Sequence, residues 1–94
     1  MNNTITEEKL SHYFEITGKA ISMAKQSGNR TNLDSERADF LDMISRYYDD
    51  AGHFEKKGDI VNAFAALSYA HGWLDAGARI GLFDVHDSTL FTVD

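Results

Sequence analysis

The sequence predicts an all-α fold, an antiparallel three-helix bundle with a short irregular C-terminal tail, and three observations carry that prediction. Apolar residues recur at three-and-four spacing through three long stretches. The breaks between those stretches are polar or glycine-bearing, and proline, the commonest helix breaker, is absent from all 94 residues. The helices are predicted at about 6–26, 35–57 and 60–80, followed by a tail over 82–94. A chain of this length makes one domain with one core, here taken as 1–94.

The first helix places Leu10, Tyr13, Phe14, Thr17, Ala20, Ile21 and Ala24 on one face. Thr4 followed by Glu7 reads as a capping box, Glu7 and Glu8 suit the positive end of the helix dipole, and Lys25 and Gly28 mark the exit. The polar run Ser27-Gly28-Asn29-Arg30-Thr31-Asn32 is then expected to be the most mobile internal segment.

The second helix opens on Asp34 and Glu36, closes on Lys56 and Lys57, and buries a stripe of Phe40, Leu41, Ile44, Tyr47, Tyr48, Ala51 and Phe54. Gly58 and Asp59 form the sharpest boundary in the chain: a glycine suited to the left-handed position past a helix end, then an acceptor that can cap the next helix. A tight hairpin follows from it.

The third helix is predicted to be the structural centre. Ile60, Ala63, Leu67, Ala70, Leu74 and Gly77 form one seam, with Val61, Phe64, Ala66, Trp73 and Ile80 flanking it. A helix apolar on so many sides must touch both neighbours, and its small residues are expected to let backbones approach closely. Helices of this length span roughly 30 Å each, so three can share one core. Leu82, Phe83 and Val85 are expected to fold back onto the bundle end. The rest of the tail has strand-like composition with nothing obvious to pair with, so a groove of its own domain or of a partner is its expected place.

Composition narrows the function. With no cysteine, thiolate zinc sites, disulfides and cysteine nucleophiles are excluded, and a reducing cytoplasm is the expected location. The start Met1-Asn2-Asn3-Thr4 lacks a signal-peptide pattern, and no apolar run is long enough for a membrane span. A net charge of −6 with nine scattered basic residues argues against nucleic acid as partner. There is no Gly-rich phosphate loop, nucleophile elbow or zinc-helix motif, so the chain is expected to be no enzyme and to need no cofactor.

Four constellations carry chemistry-bearing or motif-like residues. The 47–70 hairpin has tetratricopeptide-like spacing (Tyr47, Ala51, Phe54, Ala63, Leu67, Ala70), but about 34 residues upstream the key positions hold Thr17, Ala20 and Asn29, so no second copy exists, and Asp75 stands where that motif prefers proline. No array is expected. Asp49, Asp50, His53 and Glu55, like Glu8 and His12, carry ligand-type side chains at helical spacing, yet two ligands make no metal site and no Glu-x-x-His occurs. Asp39, Asp42, Asp49 and Asp50 with Arg46 read as a charged outer face, with Asp42 and Arg46 paired.

The fourth is His71, Asp75 and Arg79, spaced four apart and so in one stripe of the third helix, with Trp73 beside them. Its plain reading is a solvated face. Its functional reading is a polar ligand or partner site, in which a histidine oriented by a carboxylate is half of a general-base arrangement without a nucleophile beyond Ser68. The aromatic set is larger than three short helices easily bury, and any member left exposed would mark an interface.

Ala70-His71-Gly72-Trp73-Leu74-Asp75-Ala76-Gly77-Ala78-Arg79-Ile80-Gly81-Leu82-Phe83-Asp84, with Ile5-Thr6-Glu7-Glu8-Lys9-Leu10 and Tyr13-Phe14 at the start, resembles the archaeal domain of unknown function 357 family. The resemblance spans roughly residues 5 to 85. It implies a small archaeal three-helix bundle without an assigned activity; fusion of some such members to a cytidylyltransferase-like domain implies an accessory role beside nucleotide chemistry. If the motif marks a site, its positions here are His71, Trp73, Asp75 and Arg79. The expectation is therefore a non-enzymatic interaction or accessory module with a protein partner or self-association. The alternative is a small-ligand or nucleotide-associated domain, accessory to a nucleotidyltransferase, using the polar strip.

Overall fold

In the computed structural model, α1 spans Glu7–Gln26, α2 spans Asp34–Lys56 and α3 spans Ile60–Ile80. Residues 3–93 are described; Met1, Asn2 and Asp94, which the expected domain, N-terminal start and tail include, lie outside the described residues. The result is an elongated all-α three-helix bundle of 42 × 24 × 19 Å, with no strand among the described residues.

The helix ends follow from local chemistry, with one correction. Thr6, not Thr4, caps α1: its hydroxyl oxygen accepts from the Lys9 N–H at 3.1 Å, while the Thr4 hydroxyl turns to Asn3. The cap two residues later puts Glu7 and Glu8 in the first turn, where the dipole favours them, and Leu10 is the first buried position of the helix. At the α2–α3 joint, Gly58 takes φ 76°, the Gly58 and Asp59 N–H groups donate to Glu55 and Phe54, and Asp59 caps α3 through the Asn62 N–H. Gly81 ends α3 in the same way, at φ 91°, with Leu82 donating to Gly77 at 2.9 Å.

Helix α3 is the centre, as its pattern predicts: it packs on both neighbours, most extensively on α2, while α1 and α2 meet over a short stretch. One half of the core gathers Ala20, Ala24, Ile44, Leu74, Leu82 and Phe83; the other gathers Leu10, Ala51, Ala63 and Leu67. Tyr48 packs against both, and its hydroxyl donates to the Phe14 carbonyl at 3.1 Å. Burial, and secondarily the charge of Glu55, raises its pKa above the ordinary tyrosine value.

Gly77 has a different purpose from the one its small size suggests. A Cβ there would collide with the Phe83 ring rather than with another helix, so this glycine is a seat for the residue that closes the bundle end. Leu82, Phe83 and Val85 are all buried, as expected.

The 27–33 connection, expected to be mobile, is tied at several points. The Arg30 N–H donates to the Gly81 carbonyl and the Asp84 N–H to the Gly28 carbonyl, both at 2.9 Å. Arg37, from the first turn of α2, donates to the carbonyls of Ala24 and Ser27 at the end of α1 and to Leu82 at 2.6 Å. Three segments thus meet on one guanidinium, which also lies 5.4 Å from the Phe83 ring centroid.

Candidate functional site

Helical spacing of four brings His71, Asp75 and Arg79 together on one side of α3, and the C-terminal tail lies directly over them. The His71 Nε2 is 2.6 Å from the Leu90 carbonyl. A carbonyl only accepts, so Nε2 carries the proton, and in the neutral ring Nδ1 accepts from the Thr17 hydroxyl at 3.3 Å. Thr17 is the one buried polar residue of α1, and it fixes the ring from behind.

Asp75 accepts from the Thr92 N–H and Arg79 donates to the Thr92 carbonyl, each at 2.9 Å. The carboxylate of the strip therefore does not orient the histidine, as a general-base arrangement requires; His71 is held by Thr17 and by the tail. Phe91, only 2% exposed, sinks into the core beside these contacts. A cleft of about 310 Å³ remains between the tail and Tyr13, Ile16, His71 and Asp75.

The tail is not a strand. Asp87 closes a turn: its carboxylate accepts from the Thr89 N–H and hydroxyl, and its carbonyl accepts from the Leu90 and Phe91 N–H groups. The bonds to its carboxylate, the Thr89 hydroxyl's first and the Thr89 N–H's second, hold the Asp87 carboxyl below its ordinary pKa.

Trp73 belongs to another face. Two residues along a helix are about 200° apart around it, so Trp73 points away from the strip. It meets Phe40 edge-on, with centroids 4.8 Å apart, across the α2–α3 seam. Phe40, Ser68, Tyr69, Gly72, Trp73 and Ala76 line an open, largely apolar cleft of about 600 Å³. Tyr69 is 63% exposed and stacks on Tyr47, and Val61 and Ile80, towards the two ends of α3, are 71% and 56% exposed. A Cβ on Gly72 would meet nothing within 4 Å, so no packing among the described residues requires this mid-helix glycine.

The other constellations are plainer. The Asp42–Arg46 pair forms at 2.9 Å on an exposed face, where such pairs contribute little. Among the described residues no group of three or more His, Asp or Glu side chains converges, and Asp49, Asp50, His53 and Glu55 are exposed. No helix among the described residues is long and apolar enough to cross a membrane. Sequence reasoning missed the structural role of Arg37. The available signal was a cation in the first turn of a helix, where the dipole disfavours it unless something else claims it.

The sequence matches a family described as "Protein of unknown function (DUF357)" over residues 12–83. That span takes in both faces of α3 and ends at Phe83, so the tail over the strip lies beyond it. No curated protein and no solved structure matches the chain.

Proposed function

We propose that this chain, which belongs to the DUF357 family, is a non-enzymatic protein-interaction module that docks its partner on the α2–α3 face. The observation that carries the reading is the open cleft at Tyr69, Gly72 and Trp73: one exposed and one half-buried aromatic side chain beside a glycine that the packing of the described residues does not use. A mid-helix glycine costs about 1 kcal/mol relative to alanine, so a position with no internal reason for glycine fits a surface that another backbone approaches. An apolar helix face laid into the cleft, from a protein partner or a second copy, is the matching occupant.

Support for a non-enzymatic role comes from the strip. His71, Asp75 and Arg79, the groups that could have moved protons or held an anion, are engaged with backbone atoms of the tail.

Light scattering on the eluting protein, alone and with captured partners, tests the reading. Gly72→Leu and Tyr69→Glu should abolish association while leaving helicity unchanged. A chain that stays monomeric and retains no partner, or one whose association ignores both substitutions, would overturn it.

A further inference from the structure

The tail is held on α3 by side chains that reach its main chain. Its backbone bonds over 87–91 close on themselves around Asp87, so the turn takes none of its own bonds from the helices. The hydrogen bonds to α3 are supplied by side chains, and they read main-chain atoms: the Leu90 carbonyl by His71, and the N–H and carbonyl of Thr92 by Asp75 and Arg79. A carboxylate and a guanidinium one helical turn apart thus take the places that a neighbouring strand would offer to one residue. Phe91 is the anchor, buried beneath that clamp. A self-contained turn, a backbone clamp and one buried aromatic are the parts of a peptide-recognition site.

We propose that the groove between α1 and α3, with His71, Asp75 and Arg79 on its wall, is a peptide-binding site. Its ligand is a short segment that closes an Asp-x-Thr turn and presents an aromatic anchor, and the tail of a second copy of this chain can replace the chain's own. The second copy is the occupant because its tail carries, by identity, every group that the groove is seen to engage. The pivot lies just past Val85. Up to that point the chain is fixed by burial of Phe83 and Val85 and by the Asp84 bond to Gly28; beyond it, side-chain clamp and anchor do the holding. This site is independent of the α2–α3 cleft, and substitutions at Tyr69 or Gly72 should leave it unaffected.

In the intact chain the tethered tail competes at an effective concentration on the order of millimolar, which suppresses binding in trans. The test uses full-length protein and a labelled, end-blocked peptide of residues 86–93, read by fluorescence anisotropy. Phe91→Ala empties the groove by removing the anchor; Thr92→Pro does so without touching the core, by deleting the N–H that Asp75 accepts. Either variant should bind the peptide about tenfold or more tightly than the parent, since the competing tail is gone. Adding Asp75→Ala and Arg79→Ala to either should abolish that gain, and a peptide carrying Phe91→Ala should not bind.

Exchange between copies has its own test. A labelled chain with Asp75→Ala and Arg79→Ala keeps a sound tail but a damaged groove, and the Phe91→Ala chain has the reverse. Mixed, they should form a heterodimer, which the peptide dissolves. Unchanged peptide affinity in Phe91→Ala and Thr92→Pro chains that retain their helicity would overturn the site. Peptide binding without any heterodimer would overturn the second copy as its occupant.

Discussion

The two sides of α3 are built on opposite principles. On one, His71, Asp75 and Arg79 are engaged by the tail, and their polar atoms bond to the chain itself. On the other, Tyr69 and Trp73 frame an apolar cleft that nothing among the described residues covers. Two glycines five residues apart make the same contrast at the backbone: Gly77 is needed because the Phe83 ring occupies the place of a side chain, whereas Gly72 faces open space. The polar side, which looks functional in a sequence, is occupied by structure, and the apolar side, which looks like core, is the open one.

Substitutions should separate the two sides by sign as well as by size. Phe83→Ala empties a site with no exposure and should cost about 3–5 kcal/mol, enough to lower the melting temperature by well over 10 °C in a domain of this size. Gly77→Ala, which forces a Cβ into that ring, should cost about 1–3 kcal/mol by overpacking, and the double variant should recover part of the loss; urea titrations of the three proteins check both. Arg37→Met keeps the stem but leaves the Leu82 and Ser27 carbonyls without their charged donor, for a loss of about 1.5–3 kcal/mol. Gly72→Ala should go the other way and stabilise the monomer by about 0.5–1 kcal/mol, because the helix gains propensity and no neighbour is crowded. If Gly72→Ala destabilises, the open face is not open.

The smallest effect concerns pH and belongs to the side that the tail engages. The folded-state pKa of Asp87 lies below its unfolded value of 3.8, so its contribution is present above that value and is lost as pH falls through the folded pKa. Acidification should therefore loosen the tail before the bundle. Faster hydrogen exchange at Thr89, with α1 to α3 still protected, would register it; Thr89→Ala, which removes the first cause of the shift, should shrink the response.

Much of the fold was legible because its determinants are local. Gly58-Asp59 fixes a helix end and the next cap within two residues, and the seam Ala63, Leu67, Ala70, Leu74 announces burial by spacing alone. The Thr6 cap was missed because Thr4-x-x-Glu7 satisfies the same motif two residues earlier. The candidate site was legible only in its pieces. That His71, Asp75 and Arg79 share a stripe follows from a period of four, and the same geometry already separates Trp73 from them, a consequence the grouping of the four overlooked. The tail's position could not be read, since Phe91 and Thr92 meet α3 across more than a dozen residues and no local pattern encodes that contact. Arg37 is the same kind of case: its partners lie on α1 and beyond α3.

The uneven contact between helices has a kinetic meaning. α2 and α3 are joined by a single tight turn and share the most extensive packing, so their hairpin closes at small loop entropy. α1 packs mainly on α3, on the far side of α2 in sequence, and its docking must close a loop that contains a whole helix. The chain therefore has an order of assembly written into its connectivity: the α2–α3 hairpin first, α1 against it second, and last the Phe83 plug and the tail, which need a finished groove to occupy.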